Sequence, residues 1–171
     1  MGNLERLYSD RAGKMRKSVI RELLKVAQDP EMISVAAGLP NPKSLPVDDW
    51  KTIIQYVMKN QGKNALQYGT TQGLLDLRKS LAERANKEGI SDISADNVII
   101  TNGSQQALYM VGKLFLNPAD TALVGLPTYL GGINAFKSYE SNLTGIPLDE
   151  DGMRVDLLED TIKDLRSEER R

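Results

Sequence analysis

Neither cysteine nor histidine occurs among the 171 residues of the chain. The first absence removes disulfides, thiolate nucleophiles and cysteine-ligated zinc, and it suits a reducing compartment. The second removes a Ser-His-Asp triad, a histidine general base and every histidine-held metal within the chain. Acid–base chemistry is left to carboxylates, lysines, tyrosines or a bound cofactor. An excess of charge of one sign is lacking too. Lys and Arg number 22 against 23 Asp and Glu, a net charge of −1, so no global field draws in nucleic acid or an acidic membrane. No apolar run is long enough to span a bilayer, and no signal-peptide pattern opens the chain. Arg6 stands where a myristoylation signal wants Ser or Thr. These absences point to a soluble, cytoplasmic protein. What is present, 40% hydrophobic and 26% charged residues, is the make-up of a globular domain with a real core.

Residues 1–14 are polar and read as a loose arm. From Met15 to Gln28 the positions Val19, Ile20, Leu23, Leu24 and Ala27 form a helical stripe that Asp29-Pro30 ends; Arg21 lies off it. Ile33-Ser34-Val35-Ala36-Ala37 is strand-like, and the loop Gly38-Leu39-Pro40-Asn41-Pro42 breaks it and marks a domain boundary, 1–40 against 41–171. A helix after Pro46 is expected to turn Trp50, Ile53, Ile54, Val57 and Met58 inward. The next, after the turn-rich loop Ala65–Gly73, should use Leu74, Leu77, Leu81 and Ala85 as its core stripe and stop near Gly89. Thr121–Val124 reads as a buried strand, followed by a short helix around Gly132–Tyr139 and a strand at about Asn142–Pro147 that ends in the turn Asp149–Gly152. Asp156 and Glu159 resemble a capping box at the start of a last helix with Leu157, Leu158, Ile162 and Leu165 inward. No repeat or low-complexity segment is found.

The stretch Val98–Leu108 organises the rest. Val98, Ile99 and Ile100 are the β-branched run of a strand covered on both faces. Gly103 supplies a turn, Ser104 suits an N-cap, and Ala107, Leu108, Val111, Leu114 and Phe115 form an apolar helical face. A helix starting there offers unpaired N–H groups and a positive dipole end to a phosphate. The plainer alternative is a capped core helix with no ligand. Strands alternating with helices argue for an α/β domain with a mostly parallel sheet, where ligands sit beyond the carboxyl ends of the strands. The loops Gly103-Ser104-Gln105 and Pro127-Thr128-Tyr129 both follow strands and should meet there, which favours the ligand. Other motifs are missing. There is neither GxGxxG nor Walker A; Asp149–Gly152 lacks calcium-loop spacing, and the sequons at Asn102 and Asn142 are chance matches.

Four segments in order resemble one family: Ile33–Pro42, Leu66-Gln67-Tyr68-Gly69 with Gly73, Thr101–Leu108, and Leu126-Pro127-Thr128-Tyr129. Together, over about Ser18 to Leu165, the chain is similar to the class I/II aminotransferases, fold type I enzymes that use pyridoxal 5′-phosphate, and within them to the 2-aminoadipate and kynurenine branch. The resemblance implies the N-terminal part of that fold, with a mostly parallel sheet flanked by helices and incomplete here. Residues 1–40 would join the small domain and 41–171 begin the large one. Gly103, Ser104 and Gln105 would cradle the cofactor phosphate, and Tyr129 would stack on the pyridine ring. Tyr68 would reach the phosphate of the neighbouring subunit in a homodimer. Gly38 would lie against the substrate, and Arg21 would read its side chain. The implied reaction moves an amino group from an L-amino acid (2-aminoadipate, aromatic or similar) to a 2-oxo acid such as 2-oxoglutarate by a ping-pong route.

The chain also departs from that pattern. Family members are more than twice as long. The Schiff-base lysine normally follows Ser or Thr, yet no Ser-Lys or Thr-Lys pair occurs here. The aspartate on the pyridine nitrogen and the arginine on the substrate carboxylate have no counterparts either. The expectation is an N-terminal part that is inactive alone. Two other readings stand beside it: the aminotransferase-like domain of a transcription regulator, for whose preceding helix-turn-helix domain the match leaves no room, and a non-catalytic binding fragment.

Overall fold

A computed structural model describes residues 4–14, 38 and 40–168. In chain order the helices and strands are α1 (Asp10–Lys14), α2 (Val47–Ala65), α3 (Leu75–Lys87), α4 (Gly103–Phe115), β1 (Thr121–Leu126), α5 (Leu130–Lys137), β2 (Asn142–Asp149), β3 (Gly152–Met153) and α6 (Val155–Glu168). Contacts divide the chain into two units, Arg16–Ile99 and a second made of Met1–Met15 with Ile100–Arg171. The expected helix over Met15–Gln28, the strand-like Ile33–Ala37 and Arg21 lie outside the described residues.

In the first unit, α2 starts after Pro46 as expected, with Asp48 and Asp49 in its first turn, where carboxylates oppose the positive helix end. Asp48 also holds Lys51 at 2.8 Å. Its apolar stripe does not turn inward. Trp50, Ile53, Ile54 and Met58 are exposed and only Val57 is half-buried, because no described element packs on that face. The stripe expected on α3 is displaced in the same way. Leu74, Leu77 and Leu81 are exposed, while Arg78 and Ala82, one helical turn apart, are the buried pair. Arg78 is buried because its guanidinium is satisfied locally: Nη1 donates to the Ala95 carbonyl at 2.7 Å and Nε to that of Gly73 at 3.3 Å. Asp96 lies 3.8 Å from Nη1. The turn Ala95–Asn97 that receives this arginine is itself locked by a reciprocal Ser94–Asn97 cap.

The run Val98-Ile99-Ile100 is likewise not the buried strand that its residue types suggest. Val98 has extended angles (φ −117°, ψ 129°), yet the run carries no ladder, and Ile99 is exposed. Extended chain becomes strand only where a neighbour supplies the other half of each hydrogen bond. None of the described strands does.

The other unit is built on a three-stranded sheet of order β1-β2-β3. β1 and β2 are parallel, paired from Thr121↔Asn142 to Leu126↔Pro147, with α5 as the crossover. β2 then turns through Asp149–Gly152 and pairs antiparallel with the two residues of β3, so the sheet is mixed at this edge. Ile146 and Ala135 form the core between β2 and α5. α4 packs on α5 through Gly112, which lies against Tyr139 and Phe136, and Tyr109 meets Tyr139 edge-on at 6.5 Å. Of the face expected on α4, Ala107 and Leu108 are half-buried, whereas Val111, Leu114 and Phe115 stay exposed.

On α6 the inward set is as expected, with Leu157, Leu158, Ile162 and Leu165 all half-buried. The capping box is not formed. The helix begins at Val155, and Arg154 takes the Asp156 carboxylate through both Nε, at 2.8 Å, and Nη2. Glu159 pairs instead with Lys163 at 3.1 Å. The N-terminal arm is not wholly irregular: Leu4–Leu7 forms a 3-10 turn before α1, and Arg11 lies 3.7 Å from Glu140.

Candidate functional site

The start of α4 is shaped by its glycine. Gly103 has φ +74°, an angle that a side chain opposes, and this bend carries the chain from Thr101 directly into the helix. Two hydrogen bonds close the bend: the Gly103 N–H donates to the Thr101 carbonyl at 2.9 Å, and Thr101 Oγ1 donates to the Gly103 carbonyl at 3.0 Å. Ser104 is therefore not the N-cap that the sequence suggests. Asn102 holds that place, without a side-chain cap, and Ser104 is the second residue of the helix. Gln106 reaches back to accept the Asn102 N–H at 2.6 Å. Ser104 and Gln105 keep N–H groups with no acceptor within the helix, beside an exposed Ser104 hydroxyl. No acidic residue stands in this first turn to compete for them. The arrangement suits a phosphate held by backbone N–H groups, a hydroxyl and the helix dipole.

The second part comes from the carboxyl end of β1. There Leu126 gives way to a cis peptide at Pro127, and Tyr129 precedes α5 with extended angles. The two loops meet, although only the second of them follows a strand. Gln105 Nε2 donates to the Gly131 carbonyl at 3.0 Å, and the Tyr129 ring folds back over the same glycine. Tyr129 is 63% exposed, so it offers a flat aromatic face to a ligand beside the α4 N-terminus. The structure thus brings Gly103, Ser104, Gln105 and Tyr129 together.

Tyr68 and Gly38 belong to the other unit. Tyr68 is 98% exposed, with its N–H held by Gln67 Oε1 at 2.9 Å. At Gly38 the backbone angle, φ +58°, favours glycine, and no described atom lies within 4 Å of where its Cβ would stand. Two members of the site escape sequence reasoning. Thr101 clamps the bend, and Gly131 underlies both Gln105 and Tyr129. The only local sign of the latter was a glycine pair at a helix start. The described residues hold no group of three or more acidic side chains able to bind a metal, and no described helix is long and apolar enough to cross a membrane.

The family model described as "Aminotransferase class I and II" matches residues 30–170. Aromatic-amino-acid aminotransferase 1 of Thermococcus litoralis is 44% identical over 164 residues, which are 96% of this chain and 39% of that protein. Among solved structures, Pyrococcus horikoshii kynurenine aminotransferase in complex with PMP superposes with a TM-score of 0.89 at 46% identity, covering 98% of this chain and 41% of that one. LysN, the alpha-aminoadipate aminotransferase of Thermus thermophilus, complexed with N-(5′-phosphopyridoxyl)-L-leucine, superposes with a TM-score of 0.79 at 35% identity, covering 94% and 39%. The chain spans about two fifths of the length of the relatives it matches.

Proposed function

The chain belongs to the class I and II aminotransferases, and from that premise we propose that the protein moves an amino group from an L-amino acid to a 2-oxo acid with pyridoxal 5′-phosphate as cofactor. The amino donor is proposed to be 2-aminoadipate, an aromatic amino acid or similar, by likeness to the relatives above, and the acceptor 2-oxoglutarate or similar. One observation carries the reading: free N–H groups at the start of α4 and the exposed Tyr129 ring are joined through Gln105 and Gly131.

In this reading the Ser104 and Gln105 N–H groups and the Ser104 hydroxyl hold the phosphate, while Gly103, whose own N–H is taken by the Thr101 carbonyl, supplies the bend that presents them. Tyr129 covers one face of the pyridine ring, fixing its plane and excluding water from that side. The bound cofactor supplies an electron sink for carbanion chemistry. The proton transfers need a lysine, and we place it outside these 171 residues, where no lysine follows Ser or Thr. Residues 1–40 join the small domain and 41–171 begin the large one. Gly38 faces the substrate, Arg21 reads its side chain, and Tyr68 reaches the phosphate of a second copy in a cytoplasmic homodimer.

Titration of the chain with pyridoxal 5′-phosphate and with phosphate-free pyridoxal, followed by absorbance, tests the phosphate role. The phosphorylated form should bind more tightly, and Ser104→Ala should narrow that preference by about ten- to a hundredfold, the worth of one hydrogen bond to a charged group. Equal losses for both forms would remove Ser104 from the phosphate.

A further inference from the structure

α5 opens with two glycines in succession, Gly131 and Gly132, although glycine is a poor helix former. Neither has a positive φ, so backbone freedom does not account for them. Their surroundings differ. A Cβ on Gly132 would meet nothing within 4 Å. A Cβ on Gly131 would stand 2.6 Å from Tyr129 Cζ and would also overlap Tyr129 Cε1 and Gln105 Oε1. Both neighbours are residues assigned above to the cofactor. Their colliding atoms are the movable ends of side chains, so a methyl group there displaces the ring and the carboxamide and leaves α5 intact.

We propose that Gly131 is a positioning residue for the cofactor: its bare Cα is the floor on which the Tyr129 ring and the Gln105 carboxamide rest, and it sets the height of the aromatic face beside the α4 N-terminus. The proposal rests on the cofactor reading above. Gln105 is held by its Nε2–H bond to the Gly131 carbonyl at 3.0 Å, and its Oε1 occupies the space that a side chain at 131 would need. Tyr129 sets Cε1 and Cζ of its ring over this floor, and the residue is 63% exposed. Raising the floor by a methyl group forces the ring from its rotamer, and a stacked ligand loses its fit with the phosphate cradle.

The test uses the whole chain with pyridoxal 5′-phosphate as probe, in wild type, Gly131→Ala, Gly132→Ala, Tyr129→Ala and the Gly131→Ala/Tyr129→Ala double variant. Ring resonances of Tyr129 and Nε2 resonances of Gln105 are recorded without ligand, alongside the thermal midpoint. Gly131→Ala should shift both resonances, weaken cofactor binding about tenfold and leave the midpoint unlowered, since alanine favours the helix. Gly132→Ala should move neither resonance and bind as wild type. In the Tyr129→Ala background, Gly131→Ala should add little further loss. Unmoved resonances, wild-type affinity or a fully additive loss in the double variant would overturn the proposal. A wild-type chain that shows no saturable binding while Gly131→Ala still shifts both resonances would overturn the cofactor reading and uphold the hold of Gly131 on the ring.

Discussion

The two helices α2 and α5 use apolar residues to opposite effect. α2 is 19 residues long, carries Trp50, Ile53, Ile54 and Met58, and buries none of them. α5 has only eight residues, yet Ala135 on it is fully buried and its C-terminal end is packed against Gly112 of α4. Amphipathic period forms both helices, but stabilisation comes from area removed from water, and that needs a partner surface. The lesson is that an apolar stripe reports a surface meant to be covered, and the partner decides whether it is core.

The sharpest way to break this contrast is to truncate one isoleucine in each region. Ile146→Ala, at a side chain 1% exposed, should destabilise by about 2–5 kcal/mol, whereas Ile54→Ala, 55% exposed on α2, should cost under about 1 kcal/mol. Urea unfolding of the two variants measures both, and equal losses would mean that α2 is covered in solution. A gentler version uses two helical glycines. Gly112→Ala would put a Cβ 2.7 Å from Tyr139 Cδ2 and should cost about 1–3 kcal/mol, while at Gly62 the nearest atom, Met58 Cε, is 3.7 Å away, so alanine there should be neutral or stabilising by up to about 1 kcal/mol.

The smallest expected effect lies at the exposed start of α6. The bond from Arg154, with its charge, holds the Asp156 carboxyl down to about 2. A carboxyl lowered in the folded state contributes stability above its unfolded value of about 3.9, and that contribution is lost as pH falls through the folded value. Here the contribution is slight, because the pair is solvent-exposed. A carbon-detected titration should place the Asp156 midpoint near 2 in wild type and close to the ordinary value in Arg154→Ala; coincident midpoints would show that the pair is not formed in solution.

Much of the local structure was legible in the residues. The helices after Pro46 and before Gly89, the strands at Thr121 and Asn142, the hairpin at Asp149–Gly152 and the inward leucines of α6 all follow from signals within a few positions of each other. The errors have a common cause. Ser104 suits an N-cap by residue type, but the +74° angle at Gly103 lets the helix begin two residues earlier, with Asn102 at that place. Asp156 looked like half of a capping box until Arg154 took its carboxylate. Val98–Ile100 looked like a buried strand because β-branched runs usually are, yet a strand is a property of two chain segments.

The sequence alone determined where the chain bends and coils, and through four segments in register it determined the family. Those depend on backbone sterics, capping and period, which act over about one helical turn. Only the tertiary structure decided that Arg78 is buried and Leu77 exposed, and that Gln105 reaches Gly131 across 26 positions of sequence with the Tyr129 ring on the same floor. The first is set where α3 meets the turn Ala95–Asn97, the second by the packing of α4 on α5. Their energy lies in surfaces that meet only after the chain has folded, so no local pattern of residues carries it.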